Sequence, residues 1–307
     1  MRILAAVLGS PIAHSKSPLL HRAAFAALNL ESSEYSRYEL GADELEEFLD
    51  SHPDHTGFSL TMPLKDRLVT LAAVRGWNLD ETATLTAAGN TIVRRGGDVQ
   101  VANTDVEGIV RAIAPHRNSG PSASGGGGGA GRATILGAGA TAASALVACR
   151  DLGIAHVDFR VRSPDRARRV LDLAERTGLT ASVGDLTRIG PSELVISTLP
   201  AEAAPDPTWD DSFAPGAIAL DVAYAADSTF LAAAAAHGLR PVPGTAMLVE
   251  QAVAQFEMFL AAATADDPTT TETLPTSETL PAADDLTARV TAAMYAALEV
   301  PPVRTQD

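Results

Sequence analysis

The sequence has few cysteines, few aromatic residues and few basic side chains. Among its 307 residues there is one cysteine, Cys149; aromatic residues make up 5%, and 23 Lys and Arg stand against 38 Asp and Glu, which leaves a formal net charge of -15. A single cysteine excludes an intrachain disulfide and favours a reducing, cytoplasmic compartment. The acidic balance disfavours nucleic acid as a partner, because phosphate binding needs clustered cations.

Two further patterns are missing. The histidines show no His-x-x-x-His spacing on a predicted helix, and one cysteine cannot build a thiolate site, so the sequence predicts no metal site. No apolar run approaches the roughly 20 residues that a membrane span requires, and the apolar start is too short for a secretion signal. With 46% hydrophobic and 20% charged residues, the composition is that of a soluble globular protein long enough for two domains.

Short apolar segments alternate with helical patterns along most of the chain. Ser17 and Pro18 are interpreted as a hydroxyl N-cap followed by proline at the first helical position. The alternation over the first hundred residues predicts an α/β domain with a mainly parallel sheet. A second run of alternating strands and helices predicts a doubly wound nucleotide-binding domain. Its strands are expected at 133–136, 157–161, 194–198 and 217–222.

The predicted domain boundaries follow from this alternation. Residues 1–110 and 245–307 are assigned to the first α/β domain, and 111–244 to a Rossmann-like domain. Residues 117–132 include five consecutive glycines without a preceding strand or a following helix, so we interpret them as a flexible surface insertion. Residues 264–285, rich in Thr, Pro and acids, are predicted to be disordered.

Two short motifs are the most informative part of the sequence. Residues 9–18 read GSPIAHSKSP and place the hydroxyls of Ser15 and Ser17 in one loop. Residues 57–65 read GFSLTMPLK and place Thr61 and Lys65 on either side of a proline. Hydroxyls suit the oxygens of a small polyhydroxylated acid, and one amine suits proton transfer. Together with the glycine turn described below, they favour an oxidoreductase over a simple binding protein.

Asn90 and Asp105 are further polar candidates. Asn90 lies in AAGNTIV, and Asp105 ends the triplet NTD just before the helical pattern VEGIVRAI, where a helix N-terminus stabilises a carboxylate. Each candidate also has an ordinary explanation. Lys65 is explained as an exposed lysine, Asp105 as a helix-capping acid and Asn90 as a turn asparagine.

Gly137, Gly139 and Ala142 match the nucleotide fingerprint G-x-G-x-x-G/A between a predicted strand and a predicted helix. The first glycine permits the tight turn, and the second lets the backbone approach a pyrophosphate. The third small residue lets helix and strand pack closely, with the pyrophosphate at the helix N-terminus.

The end of the next strand indicates which cofactor is bound. An acid there would bind the ribose hydroxyl of NAD, but this strand ends with Val161, Arg162 and Ser163, and Arg166 follows. Two cations and a hydroxyl suit the 2′-phosphate of NADP. Arg162 can also be read as an ordinary exposed charge, and Asp158, earlier in the strand, as a surface or edge residue.

These residues resemble the shikimate dehydrogenase family, which includes quinate/shikimate dehydrogenases. The resemblance covers nearly the whole chain except 117–132 and 264–285. It rests on SPIAHSKSP, T-x-P-x-K at 61–65, Asn90 before Thr91, NTD at 103–105 and G-x-x-M-L-x-x-Q at 244–251. LTMP and STLPAE look close to VTMP and STIPAE of actinobacterial members. The chain departs from the family at Ser59, where asparagine is usual, and at Val161, where many members have asparagine.

The resemblance implies an NADP-dependent enzyme, monomeric or homodimeric, that reversibly reduces 3-dehydroshikimate to shikimate in aromatic amino acid biosynthesis. It implies Lys65 and Asp105 as the catalytic pair. Asp105 is also an implied substrate contact, together with Ser15, Ser17, Thr61, Asn90, Tyr224 and Gln251. The implied cofactor contacts are Gly137, Ala138, Gly139, Ala140, Thr141, Arg162, Ser163, Arg166 and Gly244.

Two other functions remain open. One is an NAD-dependent quinate dehydrogenase, which Arg162 disfavours; Ser17 disfavours it too, because forms that prefer quinate tend to alter that position. The other is a non-catalytic ligand sensor on the same fold, which the retained Lys65 and Asp105 disfavour, because a sensor has no need of a proton-transfer pair.

Overall fold

The computed structural model describes residues 1–117, 131–200, 203, 206–224, 227–265 and 283–299. Within these residues the chain forms two compact units. The first comprises Met1–Thr104 and the described chain from Val249 onward, and the second comprises Asp105–Leu248. These divisions lie a few residues from 110 and 244, where the sequence placed them.

Most of the two predicted insertions, 117–132 and 264–285, lies outside the described residues. The predicted end of the first insertion, at 132, and both predicted ends of the second, at 264 and 285, are wrong. Arg132 opens a strand and forms an ion pair with Asp158 of the neighbouring strand at 2.6 Å. Thr264 lies in the last turn of a long helix, and Ala283–Ala297 form another.

The helices and strands are labelled in chain order. The strands are β1 Leu4–Gly9, β2 Glu34–Glu39, β3 Gly57–Leu60, β4 Asn78–Leu79, β5 Thr91–Arg95, β6 Asp98–Ala102, β7 Arg132–Leu136, β8 His156–Arg160, β9 Thr180–Gly184, β10 Arg188–Ile189, β11 Leu194–Ser197, β12 Thr208–Trp209, β13 Ile218–Asp221 and β14 Arg240–Pro243. The helices are α1 Ser17–Ala27, α2 Leu45–Ser51, α3 Leu64–Arg75, α4 Glu81–Thr86, α5 Asp105–Ile113, α6 Ala140–Asp151, α7 Arg168–Thr177, α8 Thr229–Ala236, α9 Gly244–Ala265 and α10 Ala283–Ala297, with 3₁₀ helices at Ala114–His116 and Pro164–Ala167.

The first unit contains a six-stranded sheet of order β2-β1-β3-β5-β6-β4. β1 runs parallel to β2 and β3, whereas β5 runs antiparallel to both β3 and β6. β1 is a nearly continuous apolar run and is buried almost throughout, as expected of a central parallel strand. β2, at the edge, is mostly polar, and Tyr35 is its one buried residue. The hairpin between β5 and β6 turns at Gly96 and Gly97, both with positive φ.

The second unit contains a parallel six-stranded sheet of order β14-β13-β11-β7-β8-β9. From β7 the chain proceeds outward through β8 and β9 on one side, and β11, β13 and β14 follow on the other, so the strand order reverses beside β7. Ligands of such sheets bind at this reversal, beyond the carboxyl ends of the strands. The predicted α/β fold with a doubly wound second unit is confirmed. α5 belongs to this unit because it packs on α6.

The interior of the second unit holds Cys149, which is fully buried on α6, as the apolar sequence around it predicts. Burial raises the pKa of its thiol to about 12. A neutral thiol without access to solvent is unreactive, so Cys149 acts as a small apolar core residue.

Among the described residues, α9 is long and apolar enough to cross a membrane by length and composition. The expectation that no segment is long and apolar enough for a membrane span was therefore wrong. The polar residues Glu250, Gln251 and Glu257 interrupt the apolar residues of α9, so the sequence shows no continuous apolar run there. In its most apolar window, 72% of the residues are buried inside the protein. Phe256 and Phe259 are completely buried, so α9 has the burial of a core helix, and its length and composition alone are weak evidence of a membrane span.

Candidate active site

The polar motifs of the first unit meet at one edge of its sheet. β1 and β3 are parallel neighbours, so the loops that follow them leave the same edge. Asn90 precedes β5, which is antiparallel to β3, and β6 ends at the same edge and leads into residues 103–105. The fold therefore gathers four segments that are distant in sequence into one polar surface.

Ser15 and Ser17 lie where the first loop enters α1. The prediction that Ser17 caps this helix is wrong, because Ser17 is already helical, Lys16 holds the cap position and no side chain makes a capping hydrogen bond. Pro18 in the first turn has no N–H group that a cap could satisfy. The Ser17 side chain is nearly buried and lies close to the phenol of Tyr35, and Ser15 Oγ accepts from the Ser17 N–H at 3.4 Å.

The second loop is held directly against the first. The Ser10 N–H donates to the carbonyl oxygen of Met62 at 3.0 Å. Thr61 follows β3, and Lys65 lies partly buried in the first turn of α3. The Lys65 carbonyl accepts from the Gly89 N–H at 3.0 Å, so this turn lies beside the segment that carries Asn90.

Asn90 is 1% exposed, and its carboxamide is tied to the neighbouring strands. Its Oδ1 accepts from the Thr104 N–H at 2.9 Å and from Thr91 Oγ1 at 2.8 Å, and its Nδ2 donates to Thr104 Oγ1 at 3.0 Å. Asn90 is therefore more than a turn residue, because its amide joins the start of β5 to the chain that follows β6.

Asp105 is buried and is the first residue of α5. Asn103, two residues earlier, is also buried and donates from Nδ2 to Thr86 Oγ1 at 2.9 Å. The Thr82 hydroxyl donates to the Asn103 carbonyl oxygen at 3.2 Å, so α4 anchors the chain just before Asp105. The NTD triplet thus combines an anchoring amide with a carboxylate at a helix N-terminus.

Sequence reasoning missed a buried hydrogen-bond chain behind this edge. Tyr35 donates to Ser59 Oγ at 2.7 Å, and Ser59 donates to Gln255 Oε1 at 2.8 Å. Burial raises the pKa of the Tyr35 phenol well above its ordinary value, so the phenol remains a donor. Gln251, which the family motif singled out, is also buried and lies one turn before Gln255 on α9. The sequence signal that could have revealed this hydrogen-bond chain is the spacing of the two glutamines, four residues apart in an apolar helix.

The glycine turn of the second unit has the predicted strand–turn–helix context. Gly137 adopts φ 108°, and a side chain there would meet Thr198 Oγ1 at 2.4 Å, so only glycine fits. At Gly139 an added Cβ would meet nothing within 4 Å, which leaves open space over the backbone. Ala142 is completely buried against the sheet. The turn residues Ala138, Ala140 and Thr141 lie between these positions, and α6 begins at Ala140 without a side-chain cap.

Arg162 and Arg166 are exposed just beyond β8. Neither guanidinium has a hydrogen-bond or ion-pair partner among the described residues. Ser163 precedes the 3₁₀ helix and makes no capping bond. Asp158 has a structural role. Its carboxylate is bonded by Arg132 and by the hydroxyl of Ser182 on the two neighbouring strands, and His156 approaches it at 3.0 Å. These hydrogen bonds lower the pKa of Asp158 although burial opposes them.

Gly244 and Tyr224 lie near the end of β13. A side chain at Gly244 would meet the carbonyl oxygen of Asp221 at 2.4 Å, so the close approach of α9 to this strand requires glycine. The Asp221 carboxylate accepts from Ser228 Oγ at 2.6 Å and from the Ala223 N–H at 3.3 Å, which orders the start of the segment that carries Tyr224. Burial raises the pKa of Tyr224. Asp221 is a second supporting residue that the sequence did not reveal.

No cluster of three or more His, Cys, Asp or Glu that could hold a metal ion occurs in the part of the chain that the structure describes. The polar groups at the edge of the first sheet are hydroxyls, carboxamides, one amine and one carboxylate. Such a set binds the hydroxyls and carboxylate of a small acid and provides one group for proton transfer.

Comparison with known proteins identifies the family. The family model of the shikimate dehydrogenase substrate binding domain matches residues 7–92. Shikimate dehydrogenase (NADP(+)) of Methylibium petroleiphilum is 35% identical over 269 residues, which cover 82% of this chain and 87% of that protein. The chain belongs to the shikimate dehydrogenase family. The resemblance inferred from the sequence motifs is therefore confirmed.

Solved structures of shikimate dehydrogenases have the same fold. The crystal structure from Mycobacterium tuberculosis is 30% identical, with a TM-score of 0.71, and the match covers 95% of this chain and 99% of that one. The structure from Thermus thermophilus in complex with NADP(H) and shikimate is 26% identical, with a TM-score of 0.68, and the match covers 96% of this chain and 99% of that one.

The two compact units contain separate groups of the residues that the sequence motifs single out. The first unit brings together Ser15, Ser17, Thr61, Lys65 and Asn90, and the second unit contains the glycine turn, the two arginines and Tyr224. The residues present fit a dinucleotide, because the backbone at Gly139 is open and the uncapped N-terminus of α6 leaves N–H groups for a phosphate.

Proposed function

We propose that this chain is an NADP-dependent shikimate dehydrogenase that reversibly reduces 3-dehydroshikimate to shikimate. The observation that carries the proposal is that the Ser15–Ser17 loop, the Thr61–Lys65 loop and Asn90 converge at one sheet edge in a member of this family. Relatives named shikimate dehydrogenase (NADP(+)) support the reaction, and a solved relative in complex with NADP(H) and shikimate supports both ligands.

In this proposal hydroxyl and carboxamide groups hold the substrate. Ser15 and Ser17 bind its carboxylate, which explains how a chain with a net charge of -15 binds an acid. Thr61, Asn90 and Gln251 bind the ring hydroxyls. A hydrogen bond to a charged group is worth about 1.5–3 kcal/mol, so the two serines provide much of the affinity.

Lys65 is the proton-transfer group. When NADPH is bound it supplies the hydride that reduces the carbonyl carbon. The Lys65 ammonium donates a proton to the carbonyl oxygen, which becomes the hydroxyl of shikimate. In the reverse direction the neutral amine takes that proton back. A positioned group of this kind typically contributes about 10²–10⁴-fold to the rate.

Asp105 orients the lysine. Its carboxylate is buried at the N-terminus of α5, where the helix favours a negative charge, and α4 anchors the chain that precedes it. In the proposal it is the carboxylate of the catalytic pair and accepts a hydrogen bond from a substrate hydroxyl. Tyr224 is a further proposed substrate contact.

The second unit binds NADP. The turn at Gly137–Thr141 and the N-terminus of α6 hold the pyrophosphate, and Gly244 is a further proposed cofactor contact. Arg162, Ser163 and Arg166 hold the 2′-phosphate, because two exposed guanidinium groups and a hydroxyl follow the strand where an NAD enzyme has an acid.

The test is an assay of the purified chain with four substrate–cofactor pairs, shikimate or quinate with NADP or NAD. Shikimate with NADP is expected to give the highest kcat/KM. Highest activity with quinate and NAD would replace the proposal with a quinate dehydrogenase. No activity with any pair, together with binding of shikimate by calorimetry, would indicate a ligand sensor.

We further propose that the enzyme is cytoplasmic and is a monomer or homodimer. The cytoplasmic assignment is supported by its single cysteine, which is buried and forms no disulfide. Analytical ultracentrifugation of the purified chain distinguishes the two oligomeric states, and a tetramer or larger assembly would contradict the proposal.

A further inference from the structure

Gln255 lies at the centre of the buried polar chain behind the substrate edge. It is 1% exposed, and both ends of its carboxamide are hydrogen-bonded. Its Nε2 donates to the carbonyl oxygen of Asn90 at 3.2 Å and to Thr91 Oγ1 at 3.0 Å, and its Oε1 accepts from Ser59 Oγ at 2.8 Å. A buried carboxamide destabilises a core unless its groups are bonded, and here donor and acceptor are both used.

These bonds fix the direction of each neighbouring group. A backbone carbonyl oxygen only accepts, so the Gln255 atom that faces Asn90 must be the nitrogen. Thr91 Oγ1 accepts from this nitrogen and therefore directs its single proton to Asn90 Oδ1, 2.8 Å away. The Thr104 N–H only donates, and it bonds the same Oδ1 at 2.9 Å. Together these bonds hold the Asn90 carboxamide in one of its two orientations.

The orientation of this carboxamide matters for binding. A flipped amide exchanges its donor and acceptor, so a substrate hydroxyl would meet the wrong partner. Groups that are ordered before the ligand arrives also lose less freedom on binding. Removal of the support for Asn90 is therefore expected to weaken substrate binding more than it slows the chemical step.

We propose that Gln255 is a positioning residue of the shikimate site, which acts through Thr91 to hold the Asn90 carboxamide in the orientation that binds substrate. This inference rests on the proposed function. Ser59 completes the arrangement, because it lies directly opposite Thr91 in the β3–β5 register and donates to Gln255. An asparagine at position 59 would bring a carboxamide to the same cross-strand pair.

The first test is the near-isosteric substitution Gln255→Leu. Because it removes the support for one substrate hydrogen bond, we expect the KM for shikimate to rise by up to about tenfold. The kcat and the KM for NADP are expected to stay near the parent values. Val290→Ala is the matched control, because Val290 is fully buried on α10 and its truncation lowers stability without removing a hydrogen bond. This control is expected to lower Tm without changing the KM for shikimate.

Two further variants keep the inference testable if Gln255→Leu does not fold. Thr91→Val preserves shape and removes the hydroxyl that joins Gln255 to Asn90, so its KM for shikimate is also expected to rise. The double variant Ser59→Asn/Gln255→Ala returns a carboxamide to the cluster from β3. It is expected to recover most of the affinity that Gln255→Ala alone loses.

The outcomes separate this inference from the proposed function. An unchanged KM for shikimate in Gln255→Leu or in Thr91→Val would overturn the inference. An equal rise in Val290→Ala, or a double variant that only adds the two single effects, would also overturn it. A parent enzyme without shikimate activity would refute the proposed function and this inference together.

Discussion

His21 and Tyr35 stack face to face inside the first unit, with ring centroids 4.1 Å apart and ring planes 5° from parallel. His21 is completely buried, and neither of its ring nitrogens has a hydrogen-bond partner among the described residues. Burial lowers the pKa of His21 to about 3, and the Gln255 amide, which approaches the ring without an aligned hydrogen bond, opposes this only in part. His21 is therefore a neutral ring that packs beneath the phenol of Tyr35.

This pair predicts a loss of stability in acid. The folded-state pKa of His21 is about 3 and its ordinary value is 6.5, so the unfolded chain binds more protons between these pH values. The contribution of the neutral His21 ring to the free energy of unfolding is complete above about pH 6.5 and declines as the pH falls toward 3. His21→Phe keeps the stacking and removes the titration. As the pH decreases from 6.5 toward 3, the free energy of unfolding of this variant should therefore fall less steeply than that of the parent, and the two slopes should differ by about 1.4 kcal/mol per pH unit. Urea denaturation at pH 7, 6, 5 and 4 measures this slope.

His55 provides a second example. Burial lowers the pKa of His55 to about 4, and its ring stacks on Phe58 with centroids 4.8 Å apart, so His55→Phe should flatten the profile between pH 6.5 and 4. A parent-like slope in His21→Phe would show that His21 is not a buried neutral ring.

Ser15→Ala and Ser17→Ala should mainly raise the KM for shikimate. Each removes a hydrogen bond to the substrate carboxylate worth about 1.5–3 kcal/mol, which corresponds to roughly tenfold or more in affinity. Ser17→Ala should also lower Tm, because the Ser17 side chain is nearly buried and packs close to the phenol of Tyr35. Steady-state kinetics and thermal melts measure both effects, with the exposed Ser51→Ala as control. A fall in kcat with an unchanged KM would contradict the anchoring role.

The sequence predicts those parts of the site whose signals are local. The apolar run before Gly137 and the small residues after it suffice to place a strand, a turn and a helix in order. The loops of Ser15 and Lys65 are likewise recognised from contiguous residues. The β5–β6 hairpin was missed although its signal is local too, because Gly96 and Gly97 separate two short alternating runs.

The parts that the sequence did not reveal depend on distant contacts. Gln255 bonds Ser59 and Asn90 across separations of 196 and 165 residues, which no spacing rule connects. In the sequence Gln255 resembles a surface residue of an amphipathic helix, and only the burial of α9 on most sides makes it a core residue. The prediction that Ser17 caps the helix failed for a similar reason, since its side chain is nearly buried close to Tyr35 on a neighbouring strand.

Lys65→Ala should lower kcat by about 10²-fold or more with little change in the KM for shikimate, because it removes proton transfer in the transition state. Stopped-flow or steady-state assays in both directions measure the loss. Arg67→Ala is the matched control, since Arg67 lies on the same helix and pairs with Glu46 at the surface at 3.5 Å. If Lys65→Ala keeps turnover within a few-fold of the parent, another group transfers the proton.

Arg162→Ala should weaken NADP binding much more than NAD binding. Arg162 is exposed just beyond β8, has no partner among the described residues, and lies where a strand-terminal acid would bind the ribose of NAD. A guanidinium bonds a phosphate bidentately and stacks on the adenine, so the difference between the two cofactors is expected to be about 1.5–3 kcal/mol. Isothermal titration with each cofactor measures this difference directly.

Arg188→Ala serves as the control, because Arg188 pairs with Asp210 at 3.0 Å and its replacement should leave both affinities unchanged. Equal losses for the two cofactors in Arg162→Ala, or equal efficiency with both in the parent enzyme, would reject this assignment and favour the quinate alternative.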